Sequence, residues 1–307
     1  MRGPAPTRPQ HPVAHSYLFP RARRATVIGD GATGFALDAA YSSIFMDERE
    51  GGDRVLVDGE LLHAAARLRH GLGERTDVEV ELPFLYTTSG FLDGFVNDWH
   101  EALGLPRGNR DSAPDDGFGM HWVADGERVW GVEEDHLGLL DIPVVLTHVL
   151  VPESESRAGL ALRLGVQLPT GSESRGLSNG ELDWLLGVLF ERSRGRWTVT
   201  GAADYSIAGR RDDFAGTQAR ADDLYALHLG LEYRWNDRLS LLGQTLLTSA
   251  LEPGIDLKQT AEPVVDLALG VAWDVGRRSR LITTFHEDLV SEAGPDFGVR
   301  ASWIFGM

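Results

Sequence analysis

The chain has 307 residues, with 46 acidic against 29 basic side chains and a net charge of −17. That balance argues against nucleic acid as a partner, because phosphate backbones are gripped by basic surfaces. Cys is absent, which fits an oxidising compartment without a disulfide framework, and no apolar run reaches the roughly 18 residues of a membrane-spanning helix.

Residues 1–30 read as an irregular periplasmic lead-in, since Pro4, Pro6, Pro9, Pro12 and Pro20 oppose regular structure. Arg21, Arg23 and Arg24 are expected in a turn that is solvated or touches lipid headgroups. No apolar export signal follows Met1, so an in-frame extension upstream of it is expected. Residues 31–307 read as one domain of twelve strands, near 33–46, 54–70, 75–89, 137–151, 158–169, 181–193, 196–208, 223–235, 238–250, 263–275, 279–290 and 296–306. The clearest strand puts Tyr225, Leu227, Leu229, Leu231, Tyr233 and Trp235 on one face and Ala226, His228, Gly230, Glu232 and Arg234 on the other. A period of two with aromatics at both ends is the pattern of a membrane-crossing strand of roughly 9–11 residues. The same alternation recurs in Leu160–Leu168, Leu182–Phe190 and Val265–Val275.

The connections alternate in length. Tight turns are expected at 71–74, 152–157, 194–195, 236–237 and 276–278. Longer polar loops are expected at 47–53, 90–136, 170–180, 209–222 and 251–262, with a shorter one at 291–295. An even strand count with short turns at one end and long loops at the other is the signature of a bacterial outer-membrane barrel. The predicted fold is therefore all-β: a transmembrane antiparallel up-and-down barrel of about twelve strands, with one helix in a long extracellular loop.

Alternation also nominates the lumen. Arg67, Arg69, Glu79, Glu81, Arg163, Gln167, Asp183, Asp204, His228, Glu232, Arg234, Gln244, Asp266, Asp274 and Arg300 are predicted to point inward. Their mixed signs favour a paired network over a single-sign ion filter. Loop 90–136 holds eleven acids against three Arg. Within it Leu92, Phe95, Val96, Trp99 and Leu103 form one helical face, which Gly104 and Pro106 should end. This helix is expected to pack over the barrel mouth or on its own loop. In a sharper reading it is a gate, with Asp93, Phe95, Asp98, Trp99, His100 and Glu101 as its working residues. Asp111, Asp115 and Asp116 are weak candidates for a cation, as their spacing departs from the calcium-loop pattern. Gly176-Leu177-Ser178-Asn179-Gly180 matches the nucleophile-elbow pattern, but it falls between two predicted strands instead of between strand and helix. Nothing in the sequence calls for a cofactor.

Several blocks carry a family resemblance: Leu56-Val57-Asp58-Gly59-Glu60, Glu81-Leu82-Pro83-Phe84, Gly90-Phe91-Leu92-Asp93-Gly94-Phe95, the stretch from Trp99 to Asp111, and Gln167-Leu168-Pro169-Thr170-Gly171. Together they resemble domain-of-unknown-function family 3187 over nearly the whole chain. The resemblance implies an outer-membrane barrel of Gram-negative bacteria and no activity. The last strand, with Val299, Trp303, Phe305 and Met307 at alternate places, resembles the signal read by the barrel-assembly machinery. The expected partners are that machinery, outer-membrane lipids and a small solute, with no oligomeric state implied. The expected function is a passive channel or small-solute transporter. The alternatives are an outer-membrane lipid-active hydrolase, or a structural or surface-interaction barrel.

Overall fold

A computed structural model describes residues 1–104, 110, 113–209, 223–250, 257, 262–290 and 294–306, without the side chains of Leu103, Val129 and Val290. In chain order the described elements are β1 (Thr33–Glu50), β2 (Asp53–Gly73), β3 (Thr76–Thr88), α1 (Asp93–Leu103), β4 (Gly119–Ala124), β5 (Glu127–Gly131), β6 (His136–Leu139), β7 (Ile142–Val151), β8 (Gly159–Leu168), β9 (Asp183–Arg194), β10 (Trp197–Ile207), β11 (Leu224–Arg234), β12 (Leu239–Thr248), β13 (Val264–Gly276), β14 (Ser279–Val290) and β15 (Phe297–Phe305). Strands β1–β3 and β7–β15 form a closed antiparallel barrel of twelve, in which β1 pairs with both β2 and β15. At the seam Ala39 lies opposite Ala64 on one side and Ala301 on the other.

The alternation seen in sequence is an inside–outside alternation. Along β11, Tyr225, Leu227, Leu229 and Leu231 are 39–60% exposed, whereas Ala226, His228 and Glu232 are at most 6% exposed. A continuous outer band of exposed Leu, Val and Phe is unfavourable in water and is what a lipid-facing wall presents. At the tight-turn end Trp197 packs on Tyr233 at 4.6 Å, Tyr233 on Trp235 at 6.3 Å and Trp303 on Phe305 at 4.5 Å. These rings form an interfacial girdle.

Three expectations need correction. The loop expected at 47–53 is ladder almost throughout: β1 and β2 stay paired up to Glu50 and Asp53 around a Gly51-Gly52 turn. Gly51 adopts φ 59°, a conformation that favours glycine in such tight turns. The single strand expected at 137–151 is two. β6 pairs with β3 at Phe84–Thr87 and β7 pairs with it at Thr76–Val80. Pro83 lies between these stretches and has no N–H to continue the ladder; its carbonyl instead accepts the Leu140 N–H at 3.0 Å. β4 and β5 extend the wall upward from β2.

The third correction is the largest. Residues 1–30 were expected as an irregular periplasmic lead-in, but the irregular segment 1–28 fills the barrel. Their prolines do exclude strand, leaving one 3₁₀ turn at Val13–Ser16. Arg8, His11, His15, Leu18 and Arg21 are nevertheless each at most 6% exposed. Proline suits such a place, because it brings no amide hydrogen that would need a partner inside.

Candidate functional site

The plug runs up the lumen and back. Gly3 N–H donates to Glu232 Oε2 at 2.7 Å near the tight-turn end, and Gln244 donates to the Thr7 hydroxyl further up. At the apex Val13 and Ala14 join an apolar cluster with Leu61, Leu85, Trp122, Trp130 and Leu177, which closes the long-loop end. On the way back Leu18 N–H donates to Asp183 at 3.0 Å, Arg21 chelates Glu81 at 2.6 and 2.9 Å, Arg24 reaches Glu191 at 2.9 Å, and Ile28 N–H donates to Asp77 at 3.2 Å. Ala22 N–H to Thr7 O, at 3.1 Å, ties the two arms together. Arg21, expected in a solvated turn, is thus a buried ion-pair partner.

Of the fifteen inward candidates, twelve are at most 8% exposed, and Glu79, Arg234 and Asp274 are half-buried. Arg67 pairs with Asp38 at 2.7 Å and with Glu79 at 3.4 Å, Arg280 with Glu232 at 2.8 Å, and Arg234 with Asp274 at 3.0 Å. Arg69 holds Asp77 at 2.6 Å, and Arg163 holds Asp204 at 2.6 Å while donating to Arg21 O at 2.7 Å. Gln167 donates to Ser16 O at 3.0 Å. His228 is 6% exposed. Arg300 is 3% exposed, and among the described residues none of its guanidinium nitrogens has a hydrogen-bond partner, nor has Asp266 Oδ1. The plug was missed in the sequence because it has no hydrophobic period to reveal that it is buried.

Burial also marks groups outside the strands. The His11 imidazole, 6.2 Å from the Trp122 ring, accepts the Val13 N–H at Nδ1, and desolvation lowers its pKa to about 3. Asp141, between β6 and β7, is raised by burial against the opposing pull of the Gly171 N–H and the Ser178 hydroxyl. That hydroxyl donates to Asp141 Oδ2 at 2.8 Å, and the segment after it runs into β9, so the nucleophile-elbow context is absent there.

Helix α1 ends at Gly104 in the left-handed conformation, as expected. Its position is not the expected one. Phe95 meets Phe297 edge-on at 5.1 Å and Trp99 meets Phe285 at 5.4 Å. Both partners belong to the outward register of β14 and β15, so the helix lies on the outer wall and not over the mouth. Outward-facing Glu60 anchors the lead into the helix: it accepts the Phe91 N–H at 2.8 Å, the Leu92 N–H at 2.5 Å and the Tyr41 hydroxyl. Gly90 is required there, because a Cβ would sit 1.9 Å from Glu60 Cδ. Of the proposed gate residues, Asp93 pairs with Arg110 at 2.5 Å and His100 lies 3.4 Å from Glu287. Phe95, Asp98 and Glu101 are exposed and Trp99 is half-buried. Arg110 also reaches Asp296 at 2.9 Å. Burial raises the Asp296 carboxyl pKa, and Arg110 opposes that rise. Glu60 and Arg110 fall within the blocks that carry the family resemblance, but that family implies no roles, and nothing local in the sequence brings them together with Asp296. Of the cation candidates, Asp111 lies outside the described residues. Asp115 and Asp116 are exposed, and Asp116 N–H donates to Asp93 at 2.7 Å. Among the described residues no cluster of three His, Asp or Glu is arranged to hold a metal.

The fold has solved counterparts. The chain is similar to the COG4313 outer membrane channel from Pseudomonas putida F1, with a TM-score of 0.59 at 17% identity over 94% of this chain and 97% of that one. It is also similar to the NanC porin, with a TM-score of 0.50 at 8% identity over 88% and 98%. At these identities the likeness establishes the fold, that of outer-membrane channels and porins. No curated protein matches the sequence. The family described as protein of unknown function (DUF3187) matches residues 2–307, and the chain is a member of that family.

Proposed function

We propose that the protein is a passive outer-membrane channel for small solutes, held shut by residues 1–28. One observation carries this reading: the lumen is filled by a segment that adds no strand to the barrel. Its hydrogen bonds to the wall run through side chains such as Glu232, Asp183 and Glu81. Withdrawing it leaves every barrel ladder bond in place and uncovers a polar bore. Twelve strands lie between the eight that side chains just fill and the 16–18 that leave an aqueous channel, so the bore is narrow once cleared. The gate is assigned to the plug, because α1 lies on the outer wall. The outer band of Leu and Val meets lipid, and the alternation of Val299, Trp303 and Phe305 is what the assembly machinery would read.

The test is planar-bilayer conductance of refolded parent protein against a variant lacking residues 1–28. The expected result is sparse, small openings for the parent and steady, larger conductance for the truncated barrel. A truncated barrel that folds, judged by heat-modifiable gel mobility, and still carries no current refutes the reading.

A further inference from the structure

At the tight-turn end a cavity of about 140 Å³ separates the plug from the wall formed by β2, β3, β14 and β15. Six arginines line it: Arg2, Arg23 and Arg24 from the plug, and Arg67, Arg69 and Arg280 from the barrel. Among the described residues the one acid lining it is Glu79. The other carboxylates that pair with these arginines are Asp38, Asp77, Glu191 and Glu232. Asp77 is shared between Arg23 and Arg69. Asp274 lies 3.8 Å from Arg280 but is engaged at 3.0 Å by Arg234. Among the described residues Arg2 bonds to uncharged groups, Thr198 and the Gly195 carbonyl. Six guanidinium groups thus share five carboxylates, and one positive charge is left over at the cavity.

Donors are left over as well. Arg23 Nε and Nη1 and Arg280 Nη1 are buried and have no hydrogen-bond partner among the described residues. The Arg280 side chain is 2% exposed and that of Arg23 is 10% exposed. Unmatched buried N–H groups are costly, and those on a guanidinium are most readily satisfied by a planar or tetrahedral oxyanion. A neutral solute would leave the surplus charge in place. The barrel is also polarised along its length: this basic cavity lies at the tight-turn end, whereas loop 90–136 at the other end carries eleven acids against three Arg.

We infer that this cavity is a binding site for a small oxyanion, a carboxylate or phosphate group, held between plug and wall. The inference deepens the channel reading by naming the class of solute. It also makes the plug part of the site, since Arg2, Arg23 and Arg24 belong to it.

The test is calorimetric titration of the full-length protein in detergent micelles, at constant ionic strength in chloride. Inorganic phosphate and succinate serve as separate probes, with glycerol as a neutral control. The expected result is saturable binding of at least one anion and none of glycerol. Which anion binds tells phosphate recognition from carboxylate recognition. Arg23→Gln and Arg280→Gln should each weaken binding tenfold or more, and exposed Arg238→Gln should not. Arg23 belongs to the plug, so its variant decides the matter if Arg280→Gln fails to fold. Absence of saturable anion binding, or parent-like binding by Arg23→Gln, overturns the inference. Because no membrane is involved, a barrel that binds anion without conducting loses only the channel reading. One that conducts without binding loses only the anion site.

Discussion

Replacing Arg163 by Met should destabilise the barrel by about 3–5 kcal/mol, the usual cost of stranding one member of a buried ion pair. The guanidinium is 1% exposed, and so is the Asp204 side chain it holds. Two of its nitrogens reach that carboxylate and the third donates to Arg21 O in the plug at 2.7 Å. The pair packs over Gly187, where a Cβ would come within 2.0 Å of Asp204 Oδ1, so the surrounding wall is fitted to this arrangement. Met keeps the stem volume but leaves Asp204 as a charge without its partner. Asp204→Leu alone strands Arg163 and should cost a similar amount. The double variant Arg163→Met/Asp204→Leu removes both charges. Its loss should shrink to about 1–3 kcal/mol, the cost of the unmatched Arg21 carbonyl. The three variants and the parent form a double-mutant cycle with a large coupling term. Urea titrations in lipid vesicles, followed by Trp fluorescence, measure it. Additive losses, with the double variant as unstable as the sum of the singles, would refute the buried, mutually dependent pair.

Other outcomes follow from the same geometry. Leu229→Arg, halfway along β11 on the outer face, should cost roughly 2–4 kcal/mol in lipid, and Val275→Arg, beside a tight turn, roughly 0–1 kcal/mol; equal losses in the same titration would mean that the faces are misassigned. Phe95→Ala with Trp99→Ala should release α1 from Phe285 and Phe297, raising protease cleavage within loop 90–118 while leaving barrel conductance unchanged; a conductance change would return the gate to the helix. His11 stays neutral when buried, with a pKa of about 3, and titrates near 6.5 once exposed. The withdrawn plug therefore binds the extra proton below pH 6.5, and docking should weaken as pH falls from there towards 3. Parent conductance should rise over that window, less steeply in His11→Phe, and a flat profile would exclude this contribution.

The strands were legible because a barrel wall has two unlike solvents, so every second residue of β8, β9, β11 and β13 reports its side. The plug was not, because a segment surrounded by polar lumen on all sides has no period, and its prolines read equally well as solvated. The split between β6 and β7 shifts the outward set from Leu137 and Leu139 to Val144 and Leu146, a one-residue change of phase that a mostly apolar run conceals, while Pro83, the residue that interrupts the partner ladder, lies on another strand. The docking of α1 was hidden for a related reason. Phe285 and Phe297 look in sequence like any other lipid-facing residues, and nothing local distinguishes a ring covered by lipid from one covered by protein.

The path of the plug has a consequence for how the molecule can be put together. Its first residues lie beside Arg234 and Asp274 and its last hand over to β1 beside Gly71, both at the tight-turn end, with the apex at Val13–Ser16 between them. The segment is therefore a loop pushed in through one opening, and no chain end has to be threaded through the bore. Insertion can follow closure of the barrel, and withdrawal can reverse it, without parting a single pair of strands. Assembly of the wall and sealing of the wall are thus separable events, and the second can recur throughout the life of the protein.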